Sequence, residues 1–365
     1  MGDDYPRIRV AAVQAAPVFL NREGTVAKAC ALIREAASNG ARLIGFPEGF
    51  IPTHPLWFHF HPASGFRSLQ FSKELFKNSV IIPSPATEAL CEAARAGSIY
   101  VVIGICEKTA GRMGTLYNTL LFIDDKGQIV GRHRKLHPTL GERLVHAPGD
   151  AEGLRAYPTE FGAMSGLMCG ENSNALSLFV LDAMGTTVHV ASWPSHFNHG
   201  THMGSIIEVA SRSFAYQAKA FVVNAVGAIS AEMREALPAN DLDREFLSRS
   251  HGGASVIGPW GQFLAGPMEP GEGILYADLS IEEIIIGKSV QDFSGHYNRF
   301  DVFSLTVRPG AARPLCRLAD PYSKNLAQVA LEGRAESLEL TSGTEDPLSR
   351  KNLIGEGRRQ AQDWP

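Results

Sequence analysis

Ten short apolar runs rich in β-branched residues constrain the fold more than any other feature of this chain. They lie at residues 8–14, 41–46, 100–105, 116–123, 129–136, 162–169, 187–193, 221–226, 254–257 and 274–279. Runs of this length bounded by turn formers are the pattern of buried strands. Between several of them, stretches 21–38, 85–96, 174–184 and 205–219 space their apolar residues as helices do. Alternating strand and helix predicts an α/β fold. The alternation breaks where 116–123, the turn Asp124-Asp125-Lys126-Gly127 and 129–136 predict a hairpin, with Gly127 free to take positive φ. The sheet is therefore expected to be mixed. From about Arg308 the strand runs stop, and Pro, Arg, Glu and Ser dominate apart from a helical stretch at 325–338. The expected organisation is one domain at 1–307 and a tail at 308–365 that is an oligomer contact or partly disordered.

Composition narrows the function classes. Of 365 residues 44% are hydrophobic, enough for a large core. With 34 basic and 38 acidic residues the formal charge is −4, which supplies no broad positive field for nucleic acid or an anionic membrane. Five cysteines, at positions 30, 91, 106, 169 and 316, are too dispersed for a zinc ribbon or a disulfide framework, so a reducing, cytoplasmic setting is expected. Residues 1–6 are polar and acidic, and no 18-residue apolar run occurs, so neither an export signal nor a membrane span is expected.

Three strand ends carry reactive side chains. The run Ala-Arg-Leu-Ile-Gly-Phe-Pro-Glu ends on a Pro that cannot continue the ladder, followed by Glu48. Lys135 ends another run, just before Leu-His-Pro. Cys169 ends a third, with Gly170 after it and a helix expected to start near Ser173 or Asn174, which makes a strand-to-helix elbow. Ligand crevices of α/β folds open at such carboxyl ends, so the three are expected to converge. Together they suit nucleophilic catalysis: a thiol attacks, a carboxylate takes the proton, and an ammonium stabilises developing negative charge. A neighbouring cation is also expected to lower the cysteine pKa. Taken singly, each fits a structural role as well: a core cysteine, a turn-capping glutamate, a lysine on a solvated basic face.

The same segments, in this order, resemble the signature of the nitrilase superfamily over about residues 8–305. The matching pieces are Ala-Val-Gln-Ala at 12–15, Phe-Pro-Glu at 46–48, Arg-Lys-Leu-His-Pro-Thr-Leu-Gly-Glu-Arg at 134–143, Cys-Gly-Glu-Asn at 169–172 and Ala-Ser-Trp-Pro at 191–194. The resemblance implies an α-β-β-α sandwich that pairs into an αββα-αββα dimer or larger spiral. It implies a Cys169, Glu48, Lys135 triad supported by Glu142 and the Gly170 backbone, with no metal or organic cofactor. Gly-His-Tyr-Asn-Arg-Phe-Asp-Val-Phe at 295–303 is similar to a segment of the nitrilase branch, which implies a nitrile substrate. Two departures leave amidase or N-carbamoyl amidohydrolase activity as the alternative: Gly170 and His146 stand where that branch usually has Trp.

Aromatic residues near these motifs suggest an aromatic or arylaliphatic substrate, with His54, Trp57, Trp193 and His196 as pocket residues beside Phe58, Phe60 and Phe197. Packing of those rings into the core or a subunit contact fits them equally. Two histidine clusters, 54/59/61 and 196/199/202, raise metal-dependent hydrolysis as a rival, although no His-Glu-x-x-His motif is present. A non-catalytic scaffold on the same fold is the other alternative, opposed by the intact reactive set.

Overall fold

The computed structural model describes residues 2–196, 202–249 and 252–308. Among these residues twelve strands form: β1 (Arg7–Ala15), β2 (Ala41–Gly45), β3 (Tyr100–Lys108), β4 (Leu116–Ile123), β5 (Ile129–Arg134), β6 (Tyr157–Thr159), β7 (Gly162–Met168), β8 (Val188–Trp193), β9 (Phe221–Gly227), β10 (Ser255–Ile257), β11 (Phe263–Ala265) and β12 (Gly273–Ser280). The helices are α1 (Arg22–Ser38), α2 (Phe66–Asn78), α3 (Pro85–Gly97), α4 (Ala175–Ala183), α5 (Met203–Ala218), α6 (Ala231–Ala236), α7 (Asp241–Ser248) and α8 (Glu282–Val290).

Strand β1 organises the sandwich. It pairs in parallel with β2 and antiparallel with β12, while its last two residues, Gln14 and Ala15, reach β9. One sheet therefore runs β5-β4-β3-β2-β1-β12 and the other β11-β10-β9-β8-β7-β6, joined at that short contact. Parallel pairing at the centre of each sheet gives way to antiparallel pairing at the flanks, as the hairpin predicts.

The period of two along a strand sorts side chains into layers. Val10 and Ala12 join Leu43, Val102, Leu120 and Phe122 against Val188, Val190 and Val223 between the sheets. The opposite face of β1, Ala11, Val13 and Ala15, packs with Ala29 and Ile33 of α1 and Leu90 and Ala94 of α3. On the far side, Leu167 meets Val180 and Leu181 of α4, and the His189 ring meets Phe214 of α5 at 4.8 Å between centroids. This is α-β-β-α layering. The sheets approach closely at Gly45, where a Cβ would sit 2.7 Å from Val190 Cγ1.

Helix ends follow local chemistry. Asn21 caps α1 by accepting from the Gly24 N–H at 2.8 Å, and Asn174 caps α4 through the Leu176 and Ser177 N–H groups. The β4–β5 turn forms as expected, with Gly127 at φ +74.

Several elements depart from the sequence reading. β6 and β11 are three residues each, too short to show a period. In α2, Phe71, Leu75 and Phe76 pack into the core cluster around Trp57 while Phe66 and Leu69 are exposed, so apolar residues on both sides obscure its buried face in the sequence. The Ile284-Ile285-Ile286 triplet has strand composition but lies in α8. The short α6 and α7 are further helices the spacing did not reveal. The tail expected after Arg308 falls at 309–365, outside the described residues. Among the described residues no helix is long and apolar enough to cross a membrane.

Candidate active site

Each reactive side chain stands just past a strand end. Glu48 follows β2 and donates its backbone N–H to the Trp193 carbonyl at 3.4 Å, across to the other sheet. Lys135 directly follows β5, and its backbone N–H donates to the Asn118 carbonyl at 2.8 Å. Cys169 directly follows β7 and opens one turn of 3-10 helix, Cys169–Ser173. Its φ of +47 is a conformation that L-residues with a side chain rarely adopt, so the elbow holds the thiol in a constrained pose. Glu48, Lys135, Glu142 and Cys169 line one small cavity with His54, Phe58, His59, Thr139, Pro194 and His196.

A dense polar network fixes the first three. Lys135 Nζ donates to Glu48 Oε1 and to Glu142 Oε2, each at 2.7 Å. Asn118 Nδ2 donates to Glu48 Oε1 and Glu142 Oε1, again at 2.7 Å. Glu142 also accepts from the Thr139 N–H at 2.8 Å and pairs with His146 Nδ1 at 3.1 Å, so both its oxygens are engaged. Glu48 Oε2 is different: it is buried and has no hydrogen-bond partner among the described residues. An orphaned carboxylate oxygen in a closed site is costly unless something else supplies a proton.

The electrostatics decide which groups are charged. Burial raises the Glu48 pKa to about 7, with Glu142 adding to the rise and Lys135 and Asn118 opposing it. Burial disfavours charge on Glu142 too, but Lys135 and His146 outweigh it and hold that carboxyl well below the usual range. Lys135 is also desolvated, yet Glu48 and Glu142 push its pKa upward. The Cys169 thiol is raised to about 12 by burial and then by Glu48, against Lys135. The sequence expectation of a cation-lowered thiol is thus reversed. One ammonium shared between two carboxylates leaves little positive potential for a thiolate.

A second set ties the elbow to the lysine strand. Glu171 accepts from the Leu136 N–H at 2.7 Å and the Met168 N–H at 3.2 Å, and both its oxygens contact His133 Nε2, at 3.2 and 3.1 Å. The residues flanking Lys135 and Cys169 are therefore clamped by one buried carboxylate. Removing it in Glu171→Ala leaves two backbone donors and a buried imidazole unsatisfied, which is expected to destabilise the fold by about 2–4 kcal/mol. Chemical denaturation would read this, and an unchanged midpoint would contradict the clamp.

Sequence reasoning missed Asn118, His133 and Glu171. Asn118 had a signal, a lone amide within the apolar run 116–123. Glu171 had its place within the Cys-Gly-Glu-Asn segment, and His133 had none beyond adjacency to the segment that starts at Arg134.

The expected pocket residues divide. His54 and His196 line the cavity, whereas Trp57 and Trp193 are not among its lining side chains. Trp57 stacks on Phe71 with centroids 5.3 Å apart in a separate core cluster, and the Trp193 indole N–H donates to Asn224 Oδ1 at 2.9 Å. Phe197 and His199 lie outside the described residues. At Gly170 a Cβ would meet only Thr139 Oγ1, at 3.9 Å, so space lies open beside the cysteine.

Of the first histidine cluster, His61 pairs with the Leu237 carbonyl at 2.9 Å. His54 alone joins an arrangement with metal-ligand spacing, with Glu48 and Glu142, whose ligand atoms lie within 4.8 Å of one another. Lys135 Nζ already bridges those two carboxylates at 2.7 Å each and supplies a positive charge to both.

A buried thiol, a carboxylate with a free oxygen and a fixed ammonium at the mouths of two apposed sheets are the equipment of a cysteine-dependent hydrolase. The chain belongs to the carbon-nitrogen hydrolase family, whose model matches residues 9–285, and to its nitrilase branch. It is 38% identical over 306 residues to Nitrilase 2 of an unknown prokaryotic organism, covering 83% of this chain and 93% of that protein. It is 38% identical over 314 residues to an aliphatic nitrilase of Rhodococcus rhodochrous, covering 84% of each. The C. elegans NitFhit protein shares the fold at a TM-score of 0.65, with 18% identity, over 86% of this chain and 70% of that one.

Proposed function

We propose that the chain hydrolyses an organic nitrile to the carboxylic acid and ammonia, with Cys169 as nucleophile, Glu48 as general base and Lys135 as charge stabiliser. The observation that carries this reading is Glu48 Oε2, a buried base oxygen without a partner in the cavity of an un-ionised thiol. As Cys169 Sγ bonds to the nitrile carbon, its proton passes to Glu48 and then to the nitrile nitrogen, giving a thioimidate. Two of the three Lys135 N–H groups hold carboxylates. The third can serve the negative charge that develops, and the Gly170 N–H, which faces the Cys169 thiol, is a second donor. Water adds to the thioimidate, ammonia leaves, and a second water releases the acid from the thioester. Nitrile and two waters give acid and ammonia in balance. Glu142 positions Lys135 throughout.

Incubating the protein with a nitrile panel and the matching amides, while measuring ammonia and acid, tests the reading. Nitriles should give equal acid and ammonia, whereas turnover of amides alone would replace nitrilase by amidase. Relatives named nitrilase favour the first outcome.

The base must be unprotonated to accept the thiol proton. Because Glu48 is raised to about 7, kcat/KM should fall as pH drops through about 7, the protonated form accumulating below that value. A pH profile flat down to about 5 would exclude Glu48 as the base.

The same reading extends to location and assembly. Cysteines 30, 91, 106 and 169 are free, which supports a cytoplasmic setting. Half-exposed Tyr216 and Trp260 flank the Lys219 ammonium, whose stem packs on Gly287 of α8, and exposed Ile286 and Val290 lie on that same helix; these exposed apolar side chains support self-association into a dimer or longer spiral. The region 1–307 is the catalytic domain in this proposal.

A further inference from the structure

The cavity holds a second orphaned atom. His54 Nδ1 is buried and has no hydrogen-bond partner, as is true of Glu48 Oε2. One imidazole nitrogen of His54 lies within 4.8 Å of a carboxylate oxygen of Glu48. Two hydrogen bonds of about 2.8 Å meeting at a water span roughly 4.6 Å, a separation that falls inside that limit. The placement is built into the chain. Gly49 takes φ +56, and a Cβ there would sit 3.1 Å from His54 Cα, so the loop folds back onto the glutamate only with glycine at this turn. Phe58 holds the imidazole edge to face, with centroids 6.0 Å apart.

We propose that His54 and Glu48 together hold the water that discharges the covalent intermediates on Cys169, which makes His54 a catalytic residue. The inference rests on the nitrilase reading above. In this arrangement one O–H of the water donates to Glu48 Oε2 and the other to His54 Nδ1, leaving an oxygen lone pair for the acyl carbon. As the C–O bond forms, Glu48 takes the first proton. The C–S bond then breaks, and the departing sulfur recovers that proton from Glu48. The imidazole accepts a hydrogen bond and is not protonated, so its proton rests on Nε2. Burial lowers the His54 pKa to about 3, with Glu142 opposing and Lys135 adding to the shift, which keeps the ring neutral wherever the base is active. An acceptor that does not titrate is what orientation requires.

The test separates formation of the adduct from its decay. His54→Phe and His54→Asn are mixed with a nitrile that the unaltered protein hydrolyses, quenched at intervals, and weighed as intact protein, with hydroxylamine as an alternative nucleophile. Adduct formation on Cys169 should proceed near the normal rate in His54→Phe, while its decay slows by roughly 10- to 100-fold for loss of one hydrogen bond to the attacking water. Hydroxylamine, a stronger nucleophile that needs less orientation, should restore discharge. His54→Asn, which keeps an acceptor near the Nδ1 position, should stay within about fivefold of normal. If the Phe variant does not fold, His54→Ala takes its place. Slower adduct formation with no accumulation would overturn the proposal and leave His54 shaping the cavity only. Absence of acid from every nitrile with the unaltered protein would instead remove the nitrilase reading, and this proposal with it.

Discussion

Cys169→Ala is expected to lower kcat for nitrile hydrolysis by about 10⁴-fold or more, because Cys169 is the one thiol among the described residues that line the cavity, and both hydrolytic steps depend on its covalent bond. Cys106, also buried, donates its thiol to the Thr53 carbonyl at 3.3 Å and is not among the cavity's lining residues. The substitution should spare the fold. Only one sulfur is lost, and Asn172 Nδ2 still holds the residue 169 carbonyl at 3.1 Å, so the elbow keeps its shape. Measured denaturation within about 1 kcal/mol of the unaltered protein would show that the loss is chemical. Retention of even a hundredth of the activity would mean that Cys169 is not the nucleophile. Cys169→Ser should be nearly as inactive, since Glu48 must then deprotonate a far weaker acid.

The difference between this site and one built on a preformed thiolate lies in charge count. Glu48, Glu142 and Lys135 sum to a net negative cluster when both carboxylates are ionised, and Cys169 adds a third acid to it. In the proposed mechanism, proton transfer to Glu48 during attack avoids separating that charge. The raised pKa values of Cys169 and Glu48 are thus consistent with one another, and a base near 7 is matched to neutral conditions.

What the sequence could reveal follows from how each feature is encoded. The strands carrying Glu48, Lys135 and Cys169 were legible because a buried strand needs a continuous apolar run, and the residue that ends it is visible by contrast. Convergence of the three was an inference from topology, since nothing local tells β2, β5 and β7 that their ends meet. The hairpin at Gly127 was legible through its turn residues. Asn118 was hidden because a strand tolerates one polar side chain without losing its pattern. The direction of the Cys169 shift was hidden more deeply: it depends on both carboxylates sharing one lysine, a fact of side-chain geometry. Trp57 and Trp193 misled because aromatic content beside a motif does not say which way a ring points, and both rings point into the core.

Lys135→Met gives the second large effect, and it acts on stability as well as rate. Met fills similar space but leaves Glu48 and Glu142 buried without their shared cation, which is expected to cost about 3–5 kcal/mol. The loss should depend on pH. Without the ammonium Glu48, already raised, rises further and Glu142 moves up past the unfolded value of 4.5, so the folded state binds more protons and its stability falls as pH rises from 4.5 through those raised values. In the unaltered protein Glu142 runs the other way, contributing stability that is present above 4.5 and lost as pH falls below it. Urea denaturation at about pH 5 and about pH 8 should therefore show the variant's deficit widening at the higher pH. Adding Glu142→Gln to the variant should recover part of that deficit, because one uncompensated buried charge is gone. Activity should drop by roughly 10²–10³-fold even at the lower pH, for want of a donor to the developing charge. A deficit that is the same at both pH values would show that Lys135 is held for its packing, and that the two glutamates do not need its charge.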